Sequence, residues 1–403
     1  MLAGVPSLSA VESRDKSARV AAAAAPVKDW CVEAVADVAN LPIHQNAWDR
    51  LAKEVIEPNV FYEPWMFLAN VQAFAPTRPI CIAFVYRHDP RPKQTPQLCG
   101  FFPFERRRWF KGLPIRSLRL LEQPLNWLRT PLVHRDWAPE TLNVLFDWIA
   151  REERCSLVDW PMIHGEGPFH HALLDVLGER RMGTWVDAVY GRALIRRAAD
   201  AESYCVGAMN HLSRKEWRRQ RRRLAETGQL ESRVLQTGDD VHRWIAQFLE
   251  LEAKGWKSHE NTALAQCEAS RAYFQTIARN AAARGQLQML GLFLDDRPIA
   301  LKCNFLTGNG GFAFKIAFDE SCARSSPGVQ LELDNIDELH RRSDLHWMDS
   351  CAIPGHFMIN RLWKERRTIQ NLVIASSRFT GNSVVGVLPM LRAIKRMIKP
   401  SRA

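Results

Sequence analysis

Most features that would assign a function quickly are missing from this sequence. No stretch approaches the ~18 uninterrupted apolar residues of a membrane span. The nine cysteines are scattered and never form a CxxC pair, which excludes a disulfide framework and suits a reducing cytoplasm. There is no Walker loop, no GxGxxG after a strand, no HExxH and no GxSxG. His170-His171 is the one paired hint of a metal ligand, and no second cluster completes it, so no metal is expected. Ala21 to Ala25 follow Arg14, Asp15, Lys16 and Arg19, and the stretch is too short and too weakly apolar for a secretory signal. Residues 1–28 read as a disordered leader.

What is present is ordinary globular material: 403 residues, 46% hydrophobic and 25% charged. At roughly 150 residues per domain this is two or three domains, or two halves of one unit. The net charge of +11 is concentrated. Residues 214–223 hold seven basic residues and one acid, and Arg392, Lys395, Arg396, Lys399 and Arg402 supply the rest of the excess. The remainder of the chain is neutral. A basic run is ordinarily a solvated helix face, but seven cations in ten residues repel one another without a partner. A phosphate, an anionic polymer or a membrane surface would suit this patch, made up chiefly of Arg214, Lys215, Arg218, Arg219 and Arg222.

Along the chain, strands are expected at Trp30–Val35, Pro79–Tyr86, Leu98–Phe104, Ile115–Leu121 and Ser156–Met162. Helices are expected at Ala47–Ile56, Pro64–Phe74, Pro139–Arg154 and Phe169–Arg181. A second half begins near Tyr204, with an Arg-rich helix over Asn210–Thr227, a strand at Glu231–Gln236 and helices at Asp239–Lys254 and Ala269–Ala283. The clearest β signal is a meander of Leu287–Leu294, Ile299–Leu306 and Phe312–Phe318, broken by Asp295-Asp296 and Gly308–Gly311. A helix then opens at Ser325-Ser326-Pro327-Gly328, followed by a strand at Leu345–Asp349, a short helix at Pro354–Lys364 and a last strand at Ile369–Ala375. Both halves share the order helices, meander, helix, strand, which implies an α/β (α+β) architecture. Residues 29–200 and 201–380 divide as two lobes, with 381–403 a basic amphipathic tail. In that tail Val387, Leu391, Ile394 and Ile398 line one face, which suits either the protein's own core or a membrane surface.

Several residues could carry chemistry. A helix start at Ser326–Val329 offers backbone N–H groups and a positive dipole end to a pyrophosphate, and is also an ordinary Pro-Gly helix start. Asp349 at a strand end can accept a proton or cap a turn. His356 titrates near neutrality and is a second base candidate. Lys315 interrupts an apolar strand, where it can reach an anion or point to solvent. Trp256 and Lys257 lie on a loop between two helices, as a substrate wall or as packing.

Taken in order, several short stretches resemble a known family. They are His211–Lys215 with the Arg-rich helix, Phe248–Lys257 ending in Gly255-Trp256-Lys257, Asn261-Thr262-Ala263, Arg297–Ala300, Lys315–Asp319, Ser326-Pro327-Gly328 and Asp349. Together they resemble the acyltransferase domain of the CelD/BcsL-type family of GNAT-fold proteins, linked to cellulose and exopolysaccharide biosynthesis. The resemblance covers about residues 200–375, and 30–190 more loosely. Gly355 and Trp363 fit, while His356 stands where an acid is common in the family.

The resemblance implies tandem GNAT-like lobes akin to Fem-type aminoacyl transferases. It implies an acyl-CoA donor, acetyl-CoA first, with its pyrophosphate near Ser326, Pro327, Gly328 and Val329. Asp349 and His356 become the catalytic candidates, and Trp256, Lys257, Lys315 and Trp363 the substrate-binding ones. The acceptor would be a sugar or other small envelope precursor. A Fem-like enzyme using charged tRNA ranks below this, as does a non-catalytic accessory protein of an exopolysaccharide machine. No DNA partner is expected. The location would be cytoplasmic, with the inner membrane face as a place of peripheral attachment.

Overall fold

The computed structural model describes residues 29–89, 95–254, 264, 267–377 and 379–398. The expected leader lies outside them. In the first half, β1 (Trp30–Val35) leads to α1 (Gln45–Leu51) and α2 (Pro64–Ala73). Then come β2 (Ile80–Arg87), β3 (Gln97–Arg107), β4 (Ser117–Leu120), β5 (Leu132–Val133), α3 (Ala138–Trp148), β6 (Leu157–His164), α4 (Pro168–Glu179) and β7 (Thr184–Arg196). The second half runs α5 (Ala201–Ala208), α6 (His211–Ala225), β8 (Leu230–Val234), α7 (Val241–Lys254), α8 (Glu268–Ala283), β9 (Leu287–Leu294), β10 (Arg297–Thr307) and β11 (Gly310–Phe318). It closes with α9 (Pro327–Arg341), β12 (Trp347–Asp349), α10 (Ile359–Leu362), β13 (Glu365–Ala375) and α11 (Thr380–Ile398).

All strands join one mixed, mostly antiparallel sheet in the order β1-β2-β3-β4-β6-β13-β7-β12-β11-β10-β9-β8, with β5 on β3. Each half builds four antiparallel strands and then one parallel neighbour: β6 beside β4, β12 beside β11. The next position in each half is filled from the other half. Strand β13 pairs with β6, β7 pairs with β12, and β7 and β13 pair with each other from Glu365↔Leu194 to Ile374↔Thr184. The two lobes therefore exchange their last strands, and the sheet runs unbroken through the centre.

The helices cover both faces because their apolar residues repeat at helical spacing. Helix α7 buries Trp244, Ile245, Phe248, Leu249 and Leu251 against β9–β11. The lobes share a core as well as a sheet. Phe61 meets Phe312 edge-on at 5.4 Å, and Trp65 lies 5.8 Å from Phe305.

Two expectations need adjustment. Pro354–Lys364 is helical only over Ile359–Leu362, because Pro354 and Gly355 form a turn. The long strand β7 falls where no element was expected.

Candidate active site

A parallel strand pair that parts after a few residues leaves a wedge in the sheet, edged by backbone groups with no ladder partner. Both lobes contain one. In the first, β4 and β6 pair only from Ser117↔Leu157 to Arg119↔Asp159. The chain itself then fills the gap. The Arg129 N–H donates to the Met162 carbonyl at 2.9 Å, and the His164 N–H donates to Thr130 Oγ1 at 3.0 Å. Asn59 Nδ2 donates to the Leu128 and Thr130 carbonyls at 3.0 and 2.8 Å, pinning the same segment from the other side.

In the second lobe β11 and β12 pair only from Gly310↔Trp347 to Phe312↔Asp349. Among the described residues no comparable segment pairs along β11 beyond Phe312. The β10–β11 register also shifts there: Cys303 faces Lys315 and Asn304 faces Ala313, so Phe314 is an extra, bulged residue. A bulge takes backbone out of the ladder and re-aims it, and bulges recur beside active sites.

The apex of the second wedge is an ionic knot. Asp349 on β12 is fully buried; its Oδ2 accepts from Arg367 Nη1 of β13 at 3.0 Å, and its Oδ1 accepts from the Cys351 N–H at 2.8 Å. Arg192 of β7 places Nη1 3.7 Å from the same carboxylate and donates from it to the Trp127 carbonyl at 2.5 Å. Arg192 and Arg367 face each other across β7 and β13, so Asp349 is the charge that lets two buried guanidiniums coexist. A carboxylate held this way ties together three strands.

Helix α9 forms one wall. Ser326 starts it in the left-handed region at φ 50°, and Pro327 occupies the first helical position. The Val329 and Gln330 N–H groups donate back to the Ser326 carbonyl at 2.9 and 3.1 Å. Gly328 is buried, and a Cβ there would lie 3.3 Å from Phe318 Cδ1 and 3.6 Å from Met358 Sδ. The helix start therefore has little room for a side chain. A buried Lys302–Glu332 pair at 2.5 Å ties α9 to β10 and fixes this wall.

Lys315 neither points to solvent nor reaches an open anion site. Its Nζ lies 2.7 Å from Glu252, whose other oxygen accepts from the Leu264 N–H at 2.8 Å. This pair clamps the end of α7, just before the segment that carries Trp256 and Lys257, which lies outside the described residues. Trp363 is fully buried in the cluster beneath α9, with Lys302 Nζ 5.7 Å from its ring, so it packs the core and does not wall a ligand. His356 sits on the turn before α10 with Nδ1 3.3 Å from the Ile359 N–H, two residues from the Met358 that packs on Gly328. Asp349 and Lys315 thus lie on the two strands that part at the wedge, Gly328 opens the helix beside them, and His356 precedes the Met358 that packs on Gly328; Trp363 is buried beneath α9.

Some residues here escape sequence reasoning. Leu125, Met162 and Cys351 all hold positive φ, at 59°, 56° and 54°, and all pack into the cluster that joins the lobes. Such strain in non-glycine residues gathers at functional sites, and local sequence carries no signal for it. Tyr190 joins them, its hydroxyl accepting from Arg192 Nη2 at 3.2 Å. Burial pushes the Cys351 thiol well above its ordinary pKa, with Asp349 adding to the rise. Cys351 is therefore a thiol and a poor nucleophile.

The Arg-rich helix α6 packs on α9, where Gln330 Nε2 donates to the Trp217 carbonyl at 3.0 Å. Arg214 and Arg218 share Glu202 at 3.4 and 3.1 Å, and Arg219 pairs with Glu216 at 2.6 Å. Lys215 and Arg222 are exposed and have no ion-pair partner among the described residues. Among those residues no group of three or more His, Cys, Asp or Glu could hold a metal, and no helix is long and apolar enough to cross a membrane.

Residues 212–357 match the family of acetyltransferase (GNAT) domains. No curated protein matches the chain by sequence. Among solved structures, FemX is similar with a TM-score of 0.53 at 10% identity, over 85% of this chain and 98% of that one. A conserved protein of unknown function from Bacteroides thetaiotaomicron is similar with a TM-score of 0.50 at 11% identity, over 86% and 99%. A tandem GNAT protein from the clavulanic acid biosynthesis pathway matches with a TM-score of 0.38 at 12% identity, over 86% and 99%. The second half thus carries a GNAT-type acetyltransferase domain, and the first half repeats its strand arrangement within the same sheet.

Proposed function

We propose that the protein transfers an acyl group from acyl-CoA, acetyl-CoA first, to an amine or hydroxyl of a sugar or related envelope or exopolysaccharide precursor. The asymmetry of the two wedges carries this reading. The first is filled by its own chain, while the second lies within the segment that matches GNAT acetyltransferase domains. The donor's pantetheine arm would run along β11 beyond Phe312, with its pyrophosphate at the α9 start near Gly328. The sugar acceptor and the exopolysaccharide setting rest on the ordered motif resemblance, and the cytoplasm supplies the donor.

The acceptor nitrogen or oxygen attacks the thioester carbon, the C–S bond breaks, and the CoA thiolate takes a proton. The chain's part is to align the reactants and to place donors where the oxyanion forms. Ladder-free backbone around Phe314 suits that second task. With Cys351 held as a thiol, direct attack is favoured over an acyl-enzyme. His356 is the proton acceptor in this reading, because Asp349 is committed to two arginines.

A second reading is aminoacyl transfer from charged tRNA. The FemX similarity and the exposed cations of α6 favour it. One assay separates the readings: release of free CoA thiol from acetyl-CoA and a longer acyl-CoA, across a panel of amino sugars and nucleotide sugars, with and without RNase. Acceptor-dependent release that survives RNase is expected. No release with any acceptor, or transfer that requires intact aminoacyl-tRNA, would overturn the acyl-CoA reading.

A further inference from the structure

We propose that helix α11 and the β3–β4 loop together form a docking surface for an anionic lipid bilayer, independently of the chemistry proposed above. Two segments far apart in sequence build it. Residues 379–403 contain five cations and no Asp or Glu, and residues 106–121 contain six cations and no Asp or Glu. Among the described residues, the first half of α11 packs against the loop. Phe110 and Ile115 of the loop share a cluster with Val384, Val385 and Leu388 of α11. Lys111 and Arg392 converge on one indole, with Lys111 Nζ 4.5 Å and the Arg392 guanidinium 5.9 Å from the Trp185 ring.

Helix α11 has two apolar stripes, and the protein uses one. Val385 and Leu388 are buried against the sheet, whereas Val387 and Met390 face outward. Beside this stripe the loop exposes Trp109 and Leu113. Trp109 is 62% exposed and Met390 58%. An aromatic at a loop tip beside a helix that lies flat, apolar side out, with cations at its flanks, matches a surface that inserts shallowly into a leaflet.

The charges name the occupant. Acids neutralise the cations on the flanking strands and one in the loop: Glu153 pairs with Arg106, Glu105 with Arg107, Asp159 with Arg119, and Asp187 with Lys111. Arg108 and Arg116 are exposed, with no ion-pair partner among the described residues. A second copy of the chain would cover the apolar stripe but would oppose like charges. A soluble polyanion would meet the cations but leave Val387 and Met390 wet. An anionic leaflet satisfies both, each cation near it favouring binding about fivefold.

The test is co-sedimentation of the full chain with phosphatidylcholine vesicles and with vesicles containing phosphatidylglycerol, at low and high salt. We expect at least about tenfold stronger binding to the anionic vesicles, weakened by salt. A Trp109→Glu/Met390→Glu variant should lose it, while Ile43→Glu, at an exposed position elsewhere, should keep it. Equal binding to both vesicle types, or undiminished binding by the double variant, would overturn the proposal. So would retention on heparin without vesicle binding, or a dimer that the double variant abolishes in a chain that ignores vesicles.

Discussion

Asp349→Asn distinguishes a strand-locking carboxylate from a proton acceptor. The Asp349 side chain is fully buried, and those of Arg192 and Arg367 are 2% and 7% exposed. Replacing the carboxylate by an amide keeps the shape and leaves two guanidiniums facing each other in the dry centre of the sheet. Breaking such a pair by removing one partner costs about 3–5 kcal/mol, mostly the penalty of the charge left behind. The loss should appear as a lowered urea midpoint with an unchanged m-value. Adding Arg367→Met to the Asp349→Asn variant should recover part of it, because one uncompensated charge is removed. An Asp349→Asn variant with wild-type stability but no transfer would contradict the strand-locking role and restore Asp349 as the base.

Three further outcomes follow from the same geometry. Lys315→Ala should destabilise by roughly 3 kcal/mol, since it strands the buried Glu252 carboxylate, and Glu252→Gln in that background should recover most of it; no recovery in a denaturation cycle would count against the clamp. His356→Ala should lower the transfer rate about 100-fold or more and remove the acid limb of its pH profile, leaving acyl-CoA affinity intact; an unchanged profile removes His356 from the chemistry. Burial raises the Glu63 pKa above the ordinary 4.5, against hydrogen bonds from Thr307, Gln286 and Trp65. The folded state thus holds the proton longer than the unfolded chain, and its stabilising contribution, complete below the unfolded value, is lost as pH rises through the folded one. Glu63→Gln should therefore gain stability relative to wild type as pH rises across that window, and a pH-independent difference would contradict this.

The second-lobe meander was legible because its turns carry their own chemistry. Asp295 and Asp296 sit at φ 50° and 61°, and Gly308 at 55°, between strands that alternate regularly. Helix α7 was legible through its apolar spacing, and the start of α9 through Pro327. Strand β7 was not. Its first eight residues are exposed or only half-buried, and the register shift opposite Asn371 and Leu372 leaves Asp187 without a ladder partner, which breaks the alternation that marks a strand. Its partner β13 lies nearly the whole second half away, so the exchange of last strands has no local trace.

The same distance hid the partners of Asp349. Its place at a strand end could be read, but its partners come from β7 and β13, which sequence spacing does not bring together. Trp363 matched a motif position and proved to be core. The filled first wedge depends on Asn59, Arg129, Thr130 and Met162, whose convergence only the fold reveals.

The most direct test of the account is calorimetric titration of acetyl-CoA and a longer acyl-CoA into wild type and Gly328→Trp. One wedge is filled and one is lined by the α9 start, so one donor should bind per chain. Gly328→Trp, which forces an indole against Phe318 and Met358, should abolish that binding while the protein stays folded. Two donors per chain, or undiminished binding by the variant, would contradict the placement of the donor in the second wedge.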